Sequence, residues 1–186
     1  MTRVRAIAGF LVGATLVAAA CDDPLDVDAQ IPVRTDTMSV FAMTGTPVTH
    51  PNTLDIFNFI TTRLETGAQF DLVFDIDEQG NTVLYPAMLI TSAPYRIGLR
   101  DTAAAFESVL RAPTGEYEDE EPLVLEPGST AIIEAQNPQC QFTVSPFIYA
   151  KLVVDSIDTG TRKIFFRLTA DRNCGYRSFE EGIPRN

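Results

Sequence analysis

Two stretches of alternating polar and apolar residues constrain this chain more than anything else in it. In residues 67–90, GAQFDLVFDIDEQGNTVLYPAMLI, the residues Phe70, Leu72, Phe74 and Ile76 alternate with Gln69, Asp71, Val73, Asp75 and Asp77. A period of two places one set on a buried face of a strand and the other on its outer face, which no helix can do. Glu78-Gln79-Gly80-Asn81 supplies a turn, and Thr82 to Tyr85 begins the return strand. Pro86 has no N–H to donate, so the return strand breaks or lies at an edge there. The pattern recurs in residues 149–171. There Leu152 and Val154 share a face and Asp158-Thr159-Gly160-Thr161 turns the chain. On the second arm Ile164, Phe166, Leu168 and Ala170 alternate with Lys163, Phe165, Arg167 and Thr169.

Shorter β-rich runs lie at Met38–Met43, Tyr95–Leu99, Leu123–Leu125 and Thr130–Ala135, and residues 54–60 (LDIFNFI) read as a further strand. One helix is expected near 102–111. Asp101 or Thr102 caps it, Ala103, Phe106, Val109 and Leu110 follow at helical spacing, Arg111 sits in the last turn, and Pro113 stops it. The expected fold is all-β and mostly antiparallel, a β-sandwich or open barrel with that one short helix. At 186 residues, 45% hydrophobic and 21% charged, the chain has the composition of one globular domain. Its formal charge of −11 repels phosphate backbones and argues against nucleic acid as a partner.

The first 21 residues, MTRVRAIAGFLVGATLVAAAC, carry an address. Arg3 and Arg5 precede an uncharged apolar stretch from Ala6 to Ala20, too short to span a bilayer. Ala18, Ala19 and Ala20 run directly into Cys21. This resembles the lipobox of bacterial lipoproteins, with Ala18 where that family usually has Leu. The resemblance implies cleavage before Cys21 and acylation of Cys21, hence an exported protein of the cell envelope held to a membrane by lipid. Residues 1–20 are then a signal peptide, 21–36 a polar, proline-containing tether, and 37–186 the single β-rich domain.

With Cys21 acylated, Cys140 and Cys174 are the thiols that remain. An even pair in an oxidising compartment favours a disulfide. The alternatives are two buried free thiols or a metal site, and the single histidine, His50, cannot complete a tetrahedral set.

No nucleophile elbow, phosphate loop, dinucleotide fingerprint or zinc-protease motif occurs, so no catalytic residue, metal or cofactor is assigned. His50 stands in a proline-flanked loop, TPVTHPNT, and reads as surface. Asp75 to Asn81 looks like half of a calcium loop, but Gln79 stands at the fifth position and Pro86 at the twelfth, where a bidentate Glu belongs; outward aspartates beside a hairpin turn explain the same residues. Glu116, Glu118, Asp119, Glu120 and Glu121 form an acidic run that favours an exposed loop. Tyr149-Ala150-Lys151-Leu152 resembles a strand motif of haem-binding envelope lipoproteins. That resemblance implies axial His or Met, for which His50, Met38, Met43 and Met88 would be available; no motif pairs them, and the segment reads as a strand with an outward Lys151. Phe165, with Val153 and Ile157, is a candidate apolar patch for a partner unless the fold covers that face. These residues point to a binding or structural module with an envelope protein or glycan as partner. The competing reading is a cation-assisted carbohydrate-binding or hydrolytic lipoprotein using Asp75, Asp77 and the 116–121 acids.

Overall fold

The computed structural model describes residues 29–126 and 128–184. Ten strands form two antiparallel five-stranded sheets packed as a sandwich. The first sheet has the order β1 (Arg34–Phe41), β10 (Lys163–Asp171), β9 (Phe147–Asp158), β8 (Thr130–Gln136), β6 (Ile97–Thr102). The second has the order β3 (Ile60–Thr62), β2 (Thr53–Asp55), β4 (Leu72–Ile76), β5 (Thr82–Pro86), β7 (Leu123–Leu125). Both alternating stretches form hairpins, β4 with β5 and β9 with β10. Their inward residues meet in one core, where the Phe74 and Phe166 rings stack across the sheets with centroids 5.0 Å apart. Pro86 ends β5 opposite Leu72, and one helical turn, α1 (Ala87–Ile90), follows.

The helix expected over 102–111 does not form. Asp101 and Thr102 stay in β6, paired with Ala131 and Thr130 of β8, and only Phe106–Ser108 makes a 3-10 turn. The reason is competition from distant backbone. The Ala112 N–H donates to Arg177 O, the Phe179 N–H donates to Leu110 O, and Arg111 bridges Ser178. The segment therefore crosses the outer face of the first sheet as a strap, with the C-terminal tail beside it. A second apolar cluster fills the space beneath, built from Val109, Ala112, Tyr117, Ile132, Tyr149 and Phe179. Gly98 makes that crossing possible, because a Cβ there would stand 2.6 Å from Tyr117 Cβ.

Two other expectations change. Residues 54–60 hold β2 and the start of β3 with a turn between them, so the segment is a tight hairpin. The domain also begins earlier than residue 37. The Gln30 and Ile31 N–H groups both donate to Asn173 Oδ1 at 2.9 Å, Val33 bridges Gly182, and β1 starts at Arg34. Thus residues 29–36, expected as tether, pack on the domain.

Candidate functional site

The register gives the sandwich two unlike ends. At one, the entry end, lie Ala29–Val33, the β2–β3 turn, the loop before β4, the α1 loop, the β8–β9 loop and residues 172–176. Pairings such as Arg34 with Ala170 and Gln136 with Phe147 set this arrangement. At the far end lie the loop after β1 and the β4–β5 and β9–β10 turns.

Cys140 and Cys174 close the entry end with a disulfide, Cα–Cα 5.5 Å, joining the β8–β9 loop to the chain beyond β10. The backbone there is satisfied locally. Asn137 Oδ1 accepts from the Gln139 N–H, and the Thr143 hydroxyl lies 2.9 Å from Cys140 O and 2.7 Å from Ser145 O. Gly175, at a φ of +85°, lets the tail pass Ser145 where a Cβ would meet Ser145 Cβ at 2.9 Å. Cys21 lies outside the described residues.

A cavity of about 350 Å³ opens at the entry end between the two sheets. Its lining is mainly apolar, with Leu64, Phe70, Ala87, Pro94, Tyr95 and Ile97 prominent, and Asp71 is its one carboxyl group. Asp71 is 4% exposed, and its Oδ2 accepts from the Ile56 N–H at 2.7 Å. Burial pushes this carboxyl up to about 7; the Ile56 N–H works the other way and the Asp55 charge adds to the rise. A carboxyl group in a largely apolar cleft, balanced near neutrality, can accept from a ligand when ionised or donate to one when protonated. Alternation assigns Asp71, one residue before β4, to an outer face. The signal that it lines a cleft is absent from the sequence, because loops 64–70 and 87–95 roof it only once folded.

The acids singled out from sequence do not converge. Asp75 is buried, against the expectation of an outward side chain: it accepts from Thr44 Oγ1 at 2.9 Å and pairs with Arg162 Nη2 at 3.2 Å. Arg162 is the reason, since it also donates to Ile76 O and Thr44 O and so staples the far end. Asp77 caps its own turn, taking the Asn81 N–H at 2.8 Å and Asn81 Nδ2 at 3.0 Å, which holds its carboxyl below the usual range despite an opposing desolvation. In the acidic run Glu116 pairs with Arg100 and Asp119 with Arg96, while Glu118 bridges Leu99 along the β6 edge. Among the described residues, no three Asp, Glu, His or Cys side chains gather to hold a metal ion. His50 lies against Phe41, ring centroids 4.1 Å apart, and its buried Nδ1 has no hydrogen-bond partner.

Lys151, expected outward and solvated, is 4% exposed. The strap covers it: Nζ donates to Phe106 O at 2.6 Å and Val109 O at 2.9 Å and stands 4.4 Å from the Phe106 ring centroid. Burial pulls its ammonium group below the ordinary lysine range, against the opposing field of Glu107. The Phe165 patch does not assemble either. Val153 is 5% exposed, and a bulge between Phe165 and Phe166 turns Ile157 towards the core.

No protein-family model matches this chain, and neither a curated protein nor a solved structure matches it.

Proposed function

We propose that this protein is an exported cell-envelope lipoprotein, tethered to a membrane through Cys21, whose β-sandwich acts as a binding module. Its ligand is a small amphipathic molecule with an apolar body and one polar or cationic group. The observation that carries this reading is the cleft at the entry end, apolar except for a few polar groups and floored by the buried Asp71 carboxyl. The basic, apolar and small-residue sequence ending at Cys21 supports the anchor. The Cys140–Cys174 bridge fits an oxidising compartment.

The test uses an environment-sensitive apolar dye, Nile red, on the purified protein. Wild type is expected to bind it. Ala68→Trp, which places a large ring at the exposed rim of the cleft, is expected to weaken binding at least about tenfold without changing Tm, a loss worth ~1.4 kcal/mol. Equal binding by both proteins overturns the assignment of the cleft. Fractionation of Cys21→Ser tests the anchor separately: release from the membrane fraction is expected, and retention refutes lipid attachment at that residue.

A further inference from the structure

Nine large hydrophobic side chains are well exposed among the described residues, and their distribution is uneven. Five of them lie at the entry end: Ile60 at the start of β3, Met88 and Leu89 in α1, and Phe142 and Val144 in the β8–β9 loop. Scattered exposed apolar residues are ordinary, but a concentration at one end of a domain is not. Phe142 and Val144 are the extreme cases, 91% and 85% exposed. They are not on a slack loop. The disulfide at Cys140 and the Thr143 hydroxyl bonds fix the backbone, with the two side chains on either side of Thr143 held outward.

Two of these three segments lack charge. Residues 86–95 and 137–149 contain no Asp, Glu, Lys or Arg, in a chain that has 25 acidic and 14 basic side chains. An acidic protein is repelled by anionic lipid over most of its surface, so these two uncharged apolar segments are suited to approach a bilayer closely. The tether runs to that end. The Gln30 and Ile31 N–H groups are held by Asn173, next to Cys174, which is bonded to Cys140, two residues from Phe142. Seven residues lie between Cys21 and Ala29, which makes eight residue steps. Fully extended, at ~3.5 Å each, they reach about 28 Å, so a lipid at Cys21 keeps the entry end near the bilayer.

We infer that the entry end docks onto the lipid surface, with Phe142 and Val144 inserted at the headgroup boundary and Met88, Leu89 and Ile60 beside them. This inference rests on the lipid anchor at Cys21 proposed above. It means that the protein does not swing freely on its tether, and that the cleft at Asp71 opens towards the membrane, from which an amphipathic ligand can enter.

The chain contains no tryptophan, which makes a clean test possible. Phe142→Trp and Val48→Trp each give a single reporter, one at each end; Val48 is 66% exposed in the far-end loop after β1. Each full-length protein is reconstituted into vesicles of phosphatidylethanolamine and phosphatidylglycerol, with or without bromine on the acyl chains. The Phe142→Trp emission is expected to shift to the blue and to be quenched at least about twofold by the brominated lipid, with Val48→Trp unaffected. Water-like, unquenched Phe142→Trp emission in vesicle-bound protein overturns the docking. A blue shift in native membranes without quenching by brominated lipid identifies a protein partner and also overturns it. Mass analysis of the same samples reports acylation independently. If Cys21 proves unmodified, the anchor reading falls. Quenching of Phe142→Trp by added vesicles would then still uphold the docking surface, and its absence would refute it.

Discussion

The two ends of this sandwich solve the same problem, closing loops over exposed strand ends, with different chemistry. The far end uses charge, with two self-capped turns and one arginine that reaches across the chain. Asp158 accepts from the Gly160 and Thr161 N–H groups and the Thr161 hydroxyl, Asp77 does the same for Asn81, and Arg162 ties both turns to the loop after β1. The entry end uses covalent and long-range contacts: a disulfide, an Asn173 side chain reaching over 140 residues back to Gln30, and an apolar cleft with one buried acid. The comparison teaches that the closure sets the character of the cavity it leaves: about 250 Å³ beside Gly80, Thr82 and Ile157 at the far end, and about 350 Å³ with a buried carboxyl at the entry end. The site lies where the polar closure was replaced by apolar surface and a covalent clip.

Removing the clip is the largest way to break this contrast. Cys140→Ser with Cys174→Ser frees a loop set by a separation of 34 residues. Loop-closure entropy puts the loss at about 4 kcal/mol, read as a lower denaturant midpoint, and the entry-end backbone is expected to lose amide protection before the far end does. Uniform loss of protection at both ends would show that the ends are not separable.

The second effect is pH dependence. The Asp71 carboxyl has a raised proton affinity in the fold, so its contribution to stability is fully present below about pH 4 and is lost as pH rises through about 7. Asp71→Asn removes the titration and is expected to stabilise the protein by about 3 kcal/mol at pH 8 while changing little at pH 4. A variant that parallels wild type across that range would remove Asp71 from the cleft chemistry.

At the far end, Arg162→Ala leaves the buried Asp75 carboxylate without its cation and Ile76 O without its donor. A loss of about 2 kcal/mol is expected, nearly independent of the state of the disulfide if the two ends are independent, which a triple variant measures. The smallest effect is Gly80→Ala in the β4–β5 turn. Nothing lies within 4 Å of the added Cβ, and only the φ of +88° opposes it, so thermal melts should show about 1 kcal/mol and no change in dye binding.

The two far-end turns were legible because their determinants are local, whereas the Arg162–Asp75 pair was not. Gly80 and Gly160 stand in turns between alternating runs, and the turn positions follow. The Cys140–Cys174 pairing was legible as well, from count and compartment, though not from any contact. The strap was not. Phe106, Val109 and Leu110 stand at helical spacing, but two of them are buried because they meet Lys151 and Phe179, not because they face one side of a helix. Lys151 misled for a related reason. On an uncovered sheet it would be solvated; under the strap its ammonium group satisfies two carbonyls that an unformed helix leaves unpaired.

Sequence alone determined the all-β class, the two principal hairpins, their inward faces and the cysteine pair, because a period of two and a turn signal act between neighbours in the chain. The anchor proposed at Cys21 rests on composition and order in the first 21 residues. Only the tertiary structure decided what lies over each outer face. Alternation assigns Asp71, Asp75 and Lys151 to outer faces; it cannot say whether water, a loop or a cleft receives them. That depends on contacts between residues far apart in the chain, whose free energy exceeds local propensity. Such contacts placed Asp71 under an apolar roof, Asp75 against Arg162, and Lys151 beneath the strap.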